Sequence, residues 1–271
     1  MRLTVATWNI NSVRLRTGLV ERFAASARPD ILCLQETKCP NDCFPLKALR
    51  GLGYEHIAVN GIKGYHGVAI LSRFPFAEVA TQQFCGKADG RHIAVRFGAD
   101  ANTALDGLTV HNLYVPAGGD IPDPDENPKF AHKLAFLDEM GEHYGAEAWD
   151  RTLLVGDLNV APLEHDVWSH RQMLDVVSHT PVEVNGLTRV LDGGRWVDAM
   201  RAFVPPAEKL YTWWSYRALD WTRSDRGRRL DHIWTSPDLQ PALADMRVHR
   251  EARGWDRPSD HVPVMLGLDL A

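Results

Sequence analysis

The sequence predicts an α/β sandwich in which two mixed β-sheets pack face to face and helices lie on the outside. Strand-like runs of aliphatic and β-branched residues recur along the whole 271-residue chain. Helical patterns separate only some of these runs, which favours strands of mixed direction. Polar residues of similar chemistry end strands in the first part of the chain and begin strands in the last part. Because both groups are assigned to one site, residues 1–271 are expected to form a single domain.

The predicted elements follow from hydrophobic periodicity and from the glycine, proline and Asx residues that bound many of the runs. Strands are expected at roughly 3–8, 31–35, 54–59, 66–72, 91–97, 108–114, 152–156, 230–235, 243–248 and 262–269. One helix is expected from a Ser12 cap to about Ala27, and another from about Asn127 to His143. Three long loops are expected to carry substrate contacts: 115–128, 160–172 and 215–229.

The composition excludes several classes of protein. The N-terminus lacks the apolar core of a signal peptide, and no apolar run is long enough to span a bilayer, so a soluble, cytoplasmic protein without a membrane partner is expected. Four cysteines are too few for a disulfide framework and do not have zinc-site spacing. They are expected to be free thiols: Cys33, Cys39, Cys43 and Cys85. The net charge of −5 argues against a polyanionic partner, but a local basic face would suffice for phosphate contacts.

Polar residues stand at the ends of the strand-like runs in two groups. In the first group they follow their strands: Asn9, Glu36, Tyr114, Asp157 and Asn159. In the second group they precede their strands: Asp231, His232, Asp260 and His261. If the two groups of strands run in opposite directions, all these side chains reach the same rim. Oxygen ligands and a histidine gathered there suit a hard divalent cation and a phosphate ester, which predicts a metal-dependent phosphodiesterase.

Asp157 and Asn159 follow a buried run in TLLVGDLN. Two residues apart on an extended chain, their side chains point to one face, where one can accept a proton while the other orients water or a phosphate oxygen. The alternative is an Asx turn that ends the strand. Glu36 also follows a buried run, and metal ligation is predicted for it because an unpaired buried carboxylate is costly. Lys38 offers an ordinary ion pair instead, and Asn9 would supply a neutral group beside Glu36.

Asp260 and His261 are adjacent, so they face different ways on an extended chain and need different partners. Asp231 is the expected partner of His261, because a carboxylate orients an imidazole and favours its protonated form. Asp260 is then free to face the metal. His232 adjoins Asp231 and is the alternative functional histidine. The hydroxyl of Tyr114 is placed to reach a phosphate oxygen, although packing is the commoner role of such a tyrosine.

Aromatic and arginine residues alternate in YTWWSYRALDWTRSDRGRR. Aromatic faces stack on bases and arginines bind phosphates, so Trp213, Arg217 and Arg228 are expected to contact DNA. The alternative is a second hydrophobic cluster under a long loop. Four arginines lie close together here with no evident acidic partner nearby beyond Asp225: Arg223, Arg226, Arg228 and Arg229.

Eight motifs together make the chain resemble the exonuclease III family of DNA-repair nucleases, within the endonuclease/exonuclease/phosphatase superfamily. They are WNINSVRLR, PDILCLQETK, KGYHGVAILSR, NLYVPAG, GDLNVAP, TWWSYR, RLDHIW and PSDHVPV, in the family's order. The resemblance implies a four-layer α/β sandwich and Mg²⁺- or Mn²⁺-dependent cleavage of double-stranded DNA. It implies incision 5′ to abasic sites, 3′→5′ exonuclease action and removal of 3′-blocking groups. We also expect a monomer without an obligate protein partner, in a bacterial-type cytoplasm and associated with the nucleoid.

The resemblance also assigns roles to single residues. Asn9, Glu36 and Asp260 would lie at the metal, and Arg91 would lie near DNA or be structural. Tyr114 would contact the phosphate. The resemblance makes Asp157 the residue that activates or positions the attacking water, and Asn159 the residue that orients the water or the phosphate. Asp231 would orient His261, and attack on phosphorus would leave a 3′-hydroxyl and a 5′-phosphate.

The chain departs from the family in two places. Bulky residues follow GDLNVAP, namely His165, Trp168 and His170, and they are expected to hinder internal abasic incision and favour trimming of 3′ ends. Replacement of His170 by glycine should then raise abasic incision relative to exonuclease action. The segment before Asp231 is rich in arginine, where some relatives place an aromatic residue.

Two other functions remain open on sequence grounds. A phosphoinositide phosphatase or a sphingomyelin phosphodiesterase would use the same core residues, because a fold does not fix a substrate. A binding module that has lost its chemistry is disfavoured, because every matched polar position carries the expected type of residue.

Overall fold

The computed structural model describes residues 1–218 and 220–271. The strands are β1 (Arg2–Asn9), β2 (Ile31–Gln35), β3 (His56–Asn60), β4 (Val68–Ser72), β5 (Glu78–Ala80), β6 (His92–Arg96), β7 (Thr109–Tyr114), β8 (Thr152–Asp157), β9 (Val197–Asp198), β10 (Trp213–Trp214), β11 (Gly227–Arg228), β12 (Asp231–Thr235), β13 (Leu243–Val248) and β14 (Val264–Asp269). The helices are α1 (Thr17–Ala27), α2 (Leu46–Arg50), α3 (Pro128–Gly145), α4 (His170–Met173), α5 (Pro181–Gly193), α6 (Ala199–Phe203) and α7 (Trp221–Ser224).

The described residues form two six-stranded mixed sheets and a two-stranded ribbon of β10 and β11. The first sheet has the order β13-β14-β1-β2-β4-β3, and the second has the order β5-β6-β7-β8-β12-β9. Their facing sides share one apolar core, in which Val5 and Val264 meet Val155 and Ile233. Helices α1 and α2 pack on the outer side of the first sheet, and α3 and α5 pack on the outer side of the second. The predicted four-layer α/β sandwich is confirmed.

The pleat of the strands decides which side chains enter the space between the sheets. In β8, Leu153 and Val155 belong to the core between the sheets, whereas Leu154 packs against α3 and α5. Asp157 continues the inner row, because successive side chains alternate between the two faces of a strand. In β12, Ile233 is on the same inner side, which places Asp231 there too.

The two groups of strands that carry the site run in opposite directions. β1 is parallel to β2, and β7 is parallel to β8. β14 is antiparallel to β1, and β12 is antiparallel to β8, with Asp231 directly opposite Asp157. The carboxyl ends of the first group and the amino ends of the second therefore meet at one rim, as the pattern of strand ends predicted.

Helix α1 differs from its prediction. It begins at Thr17, and Ser12 does not cap it. Ser12 has a φ of 86°, and its backbone N–H donates to the carbonyl oxygen of Glu36 instead. Helix α3 agrees with its prediction: the side chain of Asn127 caps the backbone N–H of Lys129, and the helix ends at Gly145.

Several elements were not predicted at all. The largest is α5, although Thr180, Pro181 and Glu183 form a capping box with proline at the first helical positions, which is a readable helix-start signal. Strands β5 and β9 and the short helices α2 and α6 were also missed. None of the helices within the described ranges is long and apolar enough to cross a bilayer. Each of the four cysteines, all within those ranges, is a free thiol.

Candidate active site

Asn9, at the end of β1, holds two acidic side chains together at the rim. Its Nδ2 group donates to Glu36 Oε1 at 2.9 Å and to Asp157 Oδ2 at 2.8 Å. Its Oδ1 atom accepts the backbone N–H of Asn11 at 3.0 Å. The side chain is fully buried. In this arrangement the amide of Asn9 positions the carboxylates, and its oxygen is already used by the backbone.

Glu36 follows β2 in the left-handed region, with a φ of 50°. The hydroxyl of Tyr114 donates to its Oε1 atom at 2.8 Å, and the ammonium of Lys38 lies 2.6 Å from its Oε2 atom. Burial raises the pKa of Glu36, but Lys38 and Asn9 outweigh burial and lower it. Glu36 is therefore an anionic carboxylate at the site, and it also forms the ion pair considered as the alternative.

His261 and Asp231 form a buried pair. The distance from His261 Nδ1 to Asp231 Oδ2 is 2.8 Å, and the hydroxyl of Thr212 donates to the same carboxylate oxygen at 2.6 Å. Burial alone would lower the pKa of His261, but Asp231 and Asp157 outweigh it and raise the pKa to about 10. The ring is therefore an imidazolium at neutral pH.

His232 faces the opposite side of β12. Its Nε2 atom lies 2.8 Å from the carbonyl oxygen of Val160, and its ring packs against Trp234. Burial lowers the pKa of His232 to about 3, so this histidine is neutral. Of the two candidate histidines, the structure brings His261 to the rim.

Asp157 lies between the imidazolium and Asn9. His261 Nε2 is 3.6 Å from its Oδ2 atom, and the backbone N–H of Asn159 donates to its Oδ1 atom at 3.0 Å. Burial raises the pKa of Asp157 to about 7, against the opposing effect of His261. A carboxylate with a pKa near neutrality is suited to accept a proton from water. Asn159, at a φ of 54°, donates its Nδ2 group to the carbonyl of Val115 at 2.9 Å.

Asp260 lies on the other side of the histidine. The indole N–H of Trp213 donates to its Oδ2 atom at 2.9 Å, and Asn11 Nδ2 donates to its Oδ1 atom at 3.1 Å. Burial raises the pKa of Asp260, but the charge of His261 and the hydrogen bonds from Trp213 and Asn11 together outweigh burial and lower it. Asn11 also accepts from Lys38 Nζ at 2.7 Å. Asn11 was not predicted as a site residue, although it is the second amide of WNIN.

Two groups of side chains at the rim could bind a divalent cation, and they are not equally suited to it. Asp157, Asp231 and His261 offer ligand atoms within 4.8 Å of one another. However, His261 is protonated and bound to Asp231, and an imidazolium has no lone pair for a metal. Glu36 and Asp260 are both anionic and both line the same cleft. The carboxylates of Glu36 and Asp260 therefore suit a divalent cation better than the group that contains His261.

The cleft beside these groups has a volume of about 620 Å³. Its walls combine aromatic rings and guanidinium groups: Trp168, Trp213, Arg217, Arg226 and Arg228. Arg228 lies over the ring of Trp213 at 5.0 Å and donates to the carbonyl of Val177 at 3.0 Å and to Ser178 Oγ at 2.8 Å. Arg226 lies over Trp168 at 4.5 Å. The predicted DNA contacts Trp213, Arg217 and Arg228 thus lie in the cleft that Glu36, Asp260 and His261 also line.

Arg91 lies apart from this wall and is nearly buried. It bonds to Asp89 at 2.6 Å, to the carbonyl of Tyr114 at 3.1 Å and to the ring of His66 at 2.8 Å. Its guanidinium also lies 4.9 Å from the ring centre of Tyr114. These contacts make Arg91 a residue that holds Tyr114 in place.

The expectation that the clustered arginines lack acidic partners is wrong for Arg229. This residue is fully buried and bonds to Asp166 and Asp198, at 2.8 and 2.6 Å. Both acids are distant in sequence, so the local pattern did not reveal them. The aromatic segment is also partly a hydrophobic cluster, because Tyr211 and Trp214 are buried together with Val262.

The bulky residues after GDLNVAP do not all reach the cleft. Trp168 lines it, whereas His170 points its Nδ1 atom to His179 Nε2 at 2.8 Å. The carbonyl of His165 accepts the backbone N–H of Leu210. The side chain best placed to narrow the cleft is therefore Trp168.

Two mixed sheets with an acid, amide and histidine site on their common rim define the class of metal-dependent phosphoesterases built on an α/β sandwich. The chain belongs to the Endonuclease/Exonuclease/phosphatase family, which matches residues 6–261. This family depends on divalent metal, in agreement with the acidic rim.

Curated relatives extend over nearly the whole chain. Exodeoxyribonuclease III of Haemophilus influenzae is 29% identical, over 95% of this chain and 97% of the relative. DNA repair nuclease APEX1 of Danio rerio is 30% identical, over 98% of this chain and 82% of the relative. The predicted resemblance to the exonuclease III family is confirmed.

Solved structures agree with the relatives. The 3′ phosphatase NExo from Neisseria, bound to a product DNA hairpin, superposes with a TM-score of 0.88 at 33% identity, covering 98% of this chain and 99% of that one. An AP endonuclease from Archaeoglobus fulgidus has a TM-score of 0.88 at 30% identity, covering 99% and 100%.

Proposed function

We propose that this chain is a DNA-repair nuclease that hydrolyses phosphodiester bonds of double-stranded DNA, at 3′ ends and 5′ to abasic sites. One observation carries the proposal: an imidazolium at His261, held by Asp231, lies beside a proton acceptor at Asp157 and close to the carboxylates of Glu36 and Asp260. Relatives named as exodeoxyribonuclease III, DNA repair nuclease and AP endonuclease support DNA as the substrate.

In the proposed mechanism Asp157 accepts a proton from the attacking water, because its raised pKa makes it a base near neutrality. His261 donates a hydrogen bond to the scissile phosphate and offsets the charge that builds on it. Asn159 orients the water or the phosphate. The hydroxyl of Tyr114, which donates to Glu36 in this structure, would turn to donate to the phosphate. Water attacks phosphorus in line with the 3′ oxygen, the bond from phosphorus to that oxygen breaks, and the oxygen takes a proton from solvent. The products are a 3′-hydroxyl and a 5′-phosphate.

Glu36 and Asp260 would hold the divalent metal, proposed to be Mg²⁺ or Mn²⁺, and Asn9 would fix the orientation of Glu36. When bound, the metal supplies Lewis-acid stabilisation of the phosphate oxygens. Lys38, which pairs with Glu36 at 2.6 Å and donates to Asn11 at 2.7 Å, would remain beside the metal as a neighbouring positive charge.

The shape of the cleft favours terminal processing within this range of activities. Trp168 and the overlying Arg226 narrow the cleft on one side, and Arg228 occupies the wall beside Trp213. Guanidinium groups suit the extra negative charge of a 3′-phosphate, and a narrowed cleft leaves little room for a flipped abasic sugar. We therefore place 3′→5′ trimming and 3′-end cleaning ahead of internal abasic incision.

The remaining expectations belong to the same proposal. Residues 1–271 act as one domain and as a monomer without an obligate protein partner. The protein works in the cytoplasm, in association with a bacterial-type nucleoid. The DNA-facing wall of arginines and tryptophans supports DNA over a lipid phosphoester as the substrate.

The test uses three labelled duplexes: one undamaged, one with an internal abasic-site analogue and one with a 3′-phosphate. Each is incubated with Mg²⁺, Mn²⁺ or EDTA, and with wild type, His261→Gln or the matched control His232→Gln. Metal-dependent removal of 3′ nucleotides or phosphate, lost with His261→Gln and kept with His232→Gln, is expected. Metal-dependent hydrolysis of a lipid phosphoester with no action on any duplex would overturn the proposal.

A further inference from the structure

Lys133 and Glu183 form an ion pair that is fully buried behind the active site. Lys133 is in the second turn of α3 and Glu183 is in the first turn of α5, and both side chains are inaccessible to solvent. Burying two charges requires strong compensation, and a well-packed apolar pair of the same volume is often at least as stable. The contact between α3 and α5 already has an apolar basis in Leu137 and Leu187.

Lys133 contacts the two loops that follow β7 and β8. Its ammonium donates to the carbonyl oxygen of Asn159 at 2.7 Å and to that of Ala117 at 3.4 Å. The side chain of Asn159 in turn donates to the carbonyl of Val115 at 2.9 Å. The position of the Asn159 amide thus depends on how the two loops are held relative to each other, and Lys133 bonds to both.

Glu183 fixes the segment that forms the opposite wall of the cleft. Its carboxylate accepts the backbone N–H of Ser178 at 2.9 Å, and the backbone N–H and hydroxyl of Thr180 at 3.2 and 2.6 Å. Ser178 has a φ of 90°, accepts from Arg228 through its hydroxyl and accepts from the N–H of Ala161 through its carbonyl. The ion pair of Lys133 and Glu183 therefore holds both the loop of Asn159 and the residue Ser178, which accepts a hydrogen bond from Arg228.

We propose that Lys133 and Glu183 are positioning residues for hydrolysis, which set the relative placement of Asn159 and the Arg228 wall. The inference rests on the proposed role of Asn159 in the active site. Neither residue lines the cleft, and their hydrogen bonds to the two loops are made mainly to backbone groups. A shift of Asn159 by a fraction of an ångström to 1 Å is enough to reduce turnover strongly.

The test removes the charges while keeping the volumes, with the double variant Lys133→Met/Glu183→Gln. The matched control is Asp138→Asn/Arg189→Met, which removes an exposed ion pair between the same two helices. We expect the buried double variant to lower kcat roughly 10- to 100-fold while KM for duplex DNA changes less than about threefold, because positioning acts on the reacting geometry. The control should keep both constants.

Stability and the role of Asn159 are measured alongside. Melting temperature and the circular dichroism spectrum establish that the variants are folded, and Asn159→Ala is assayed in parallel. If Asn159→Ala lowers kcat but the folded buried variant does not, the positioning role is overturned and the proposed active site stands. If Asn159→Ala keeps full kcat, the role of Asn159 in the proposed mechanism fails and the inference fails with it.

A second variant covers the case in which the double variant does not fold. Glu183→Gln alone keeps an acceptor for Ser178 and Thr180 but weakens the hold on Lys133. We expect its kcat to fall roughly 3- to 10-fold with KM unchanged, since the one acceptor oxygen of glutamine stays with Ser178 and Thr180 and the ion pair with Lys133 is lost. Unchanged kcat in a folded Glu183→Gln protein would overturn the proposal.

Discussion

Adjacent residues in this site have opposite functions because a strand alternates its faces. Asp231 points between the sheets and binds His261, whereas His232 points to the outer side and bonds to the backbone of Val160. Their environments also shift the pKa values of the two histidines in opposite directions: the pKa of His261 is raised to about 10 and that of His232 is lowered to about 3. At neutral pH the imidazolium is therefore confined to the rim that carries the carboxylates.

Replacing Asp231 by asparagine should lower the pKa of His261, because the nearest opposing charge is lost while the desolvation remains. In the wild type the raised pKa stabilises the fold fully below the ordinary value of 6.5, and this contribution is lost as pH rises through about 10. The variant should lose less stability across that window. NMR titration of the His261 ring measures the pKa directly, and an unchanged value would contradict the assignment of Asp231.

Replacing Trp168 by glycine should widen the cleft and raise abasic incision relative to 3′→5′ exonuclease action. The reason is steric, because the indole lines the cleft and lies under Arg226. The ratio of the two rates on matched duplexes is the measurement. His170→Gly is the control, since its ring is turned to His179. A larger change in this ratio for His170→Gly than for Trp168→Gly would contradict this prediction. It would support the expectation from the sequence that His170 hinders abasic incision.

At the scale of elements, loops are fixed to strands by buried charges that come from distant parts of the chain. Arg229 precedes β12 and bonds to Asp166 in the loop after β8 and to Asp198, which caps α6. Arg201 of α6 also bonds to Asp166. The loop that presents Trp168 to the cleft is thereby tied to the start of the strand that carries Asp231.

Replacing Arg229 by methionine should destabilise the protein by about 3–5 kcal/mol, because it removes the cation of Asp198 and leaves the buried Asp166 with Arg201 alone. The free energy of unfolding in urea is the measurement. Arg223→Met is the matched control, because Arg223 is exposed on α7 and should change stability by less than about 0.5 kcal/mol. A loss of less than about 1 kcal/mol for Arg229→Met would contradict the network.

At the scale of the whole molecule, several buried histidines make stability depend on pH. Burial lowers the pKa of His111 and of His232 to about 3, and it lowers the pKa of His92 well below its ordinary value. His92 and His111 are bonded to each other at 3.0 Å, and the hydroxyl of Tyr144 lies 3.2 Å from the same His111 nitrogen. The rings of His92, His111 and His232 are therefore neutral in the folded protein.

The protein should therefore lose stability as pH falls below 6.5, the ordinary pKa of histidine in the unfolded chain. The unfolded state binds protons that the folded state cannot, and each such histidine contributes a loss of up to about 1.4 kcal/mol per pH unit between 6.5 and about 3. The free energy of unfolding between pH 7 and 5 measures the slope. Replacement of His111 by asparagine should make it shallower; the same slope in variant and wild type would contradict this assignment.

Much of the candidate site could be predicted from the sequence because polar residues interrupt apolar runs where strands end. Asp157, Asp231 and His261 were placed at one rim from strand ends and an assumed change of direction, and the antiparallel pairing of β8 with β12 provides that change. Because side chains alternate along a strand, the sequence by itself could also have separated His232 from Asp231. The site roles of these residues remain predictions for mutagenesis.

The parts that could not be predicted depend on contacts between distant segments. Helix α5 was missed despite its capping box, and Arg229 was misread because its acids lie 63 and 31 residues away. The buried partners of Lys133 were equally invisible, because a lysine among helical residues reads as a solvent-exposed position. Asn11 needed the turn after β1 to show that it links Lys38 with Asp260.

The class of fold, the rim that gathers polar residues and the kinds of group found there could be predicted from local periodicity and from strand ends. Which groups are charged, which arginines face the cleft and which buried pairs hold the loops could be learned only from the folded arrangement. Charge state and accessibility depend on burial and on partners across the fold, and neither is encoded in the spacing of residues along one segment.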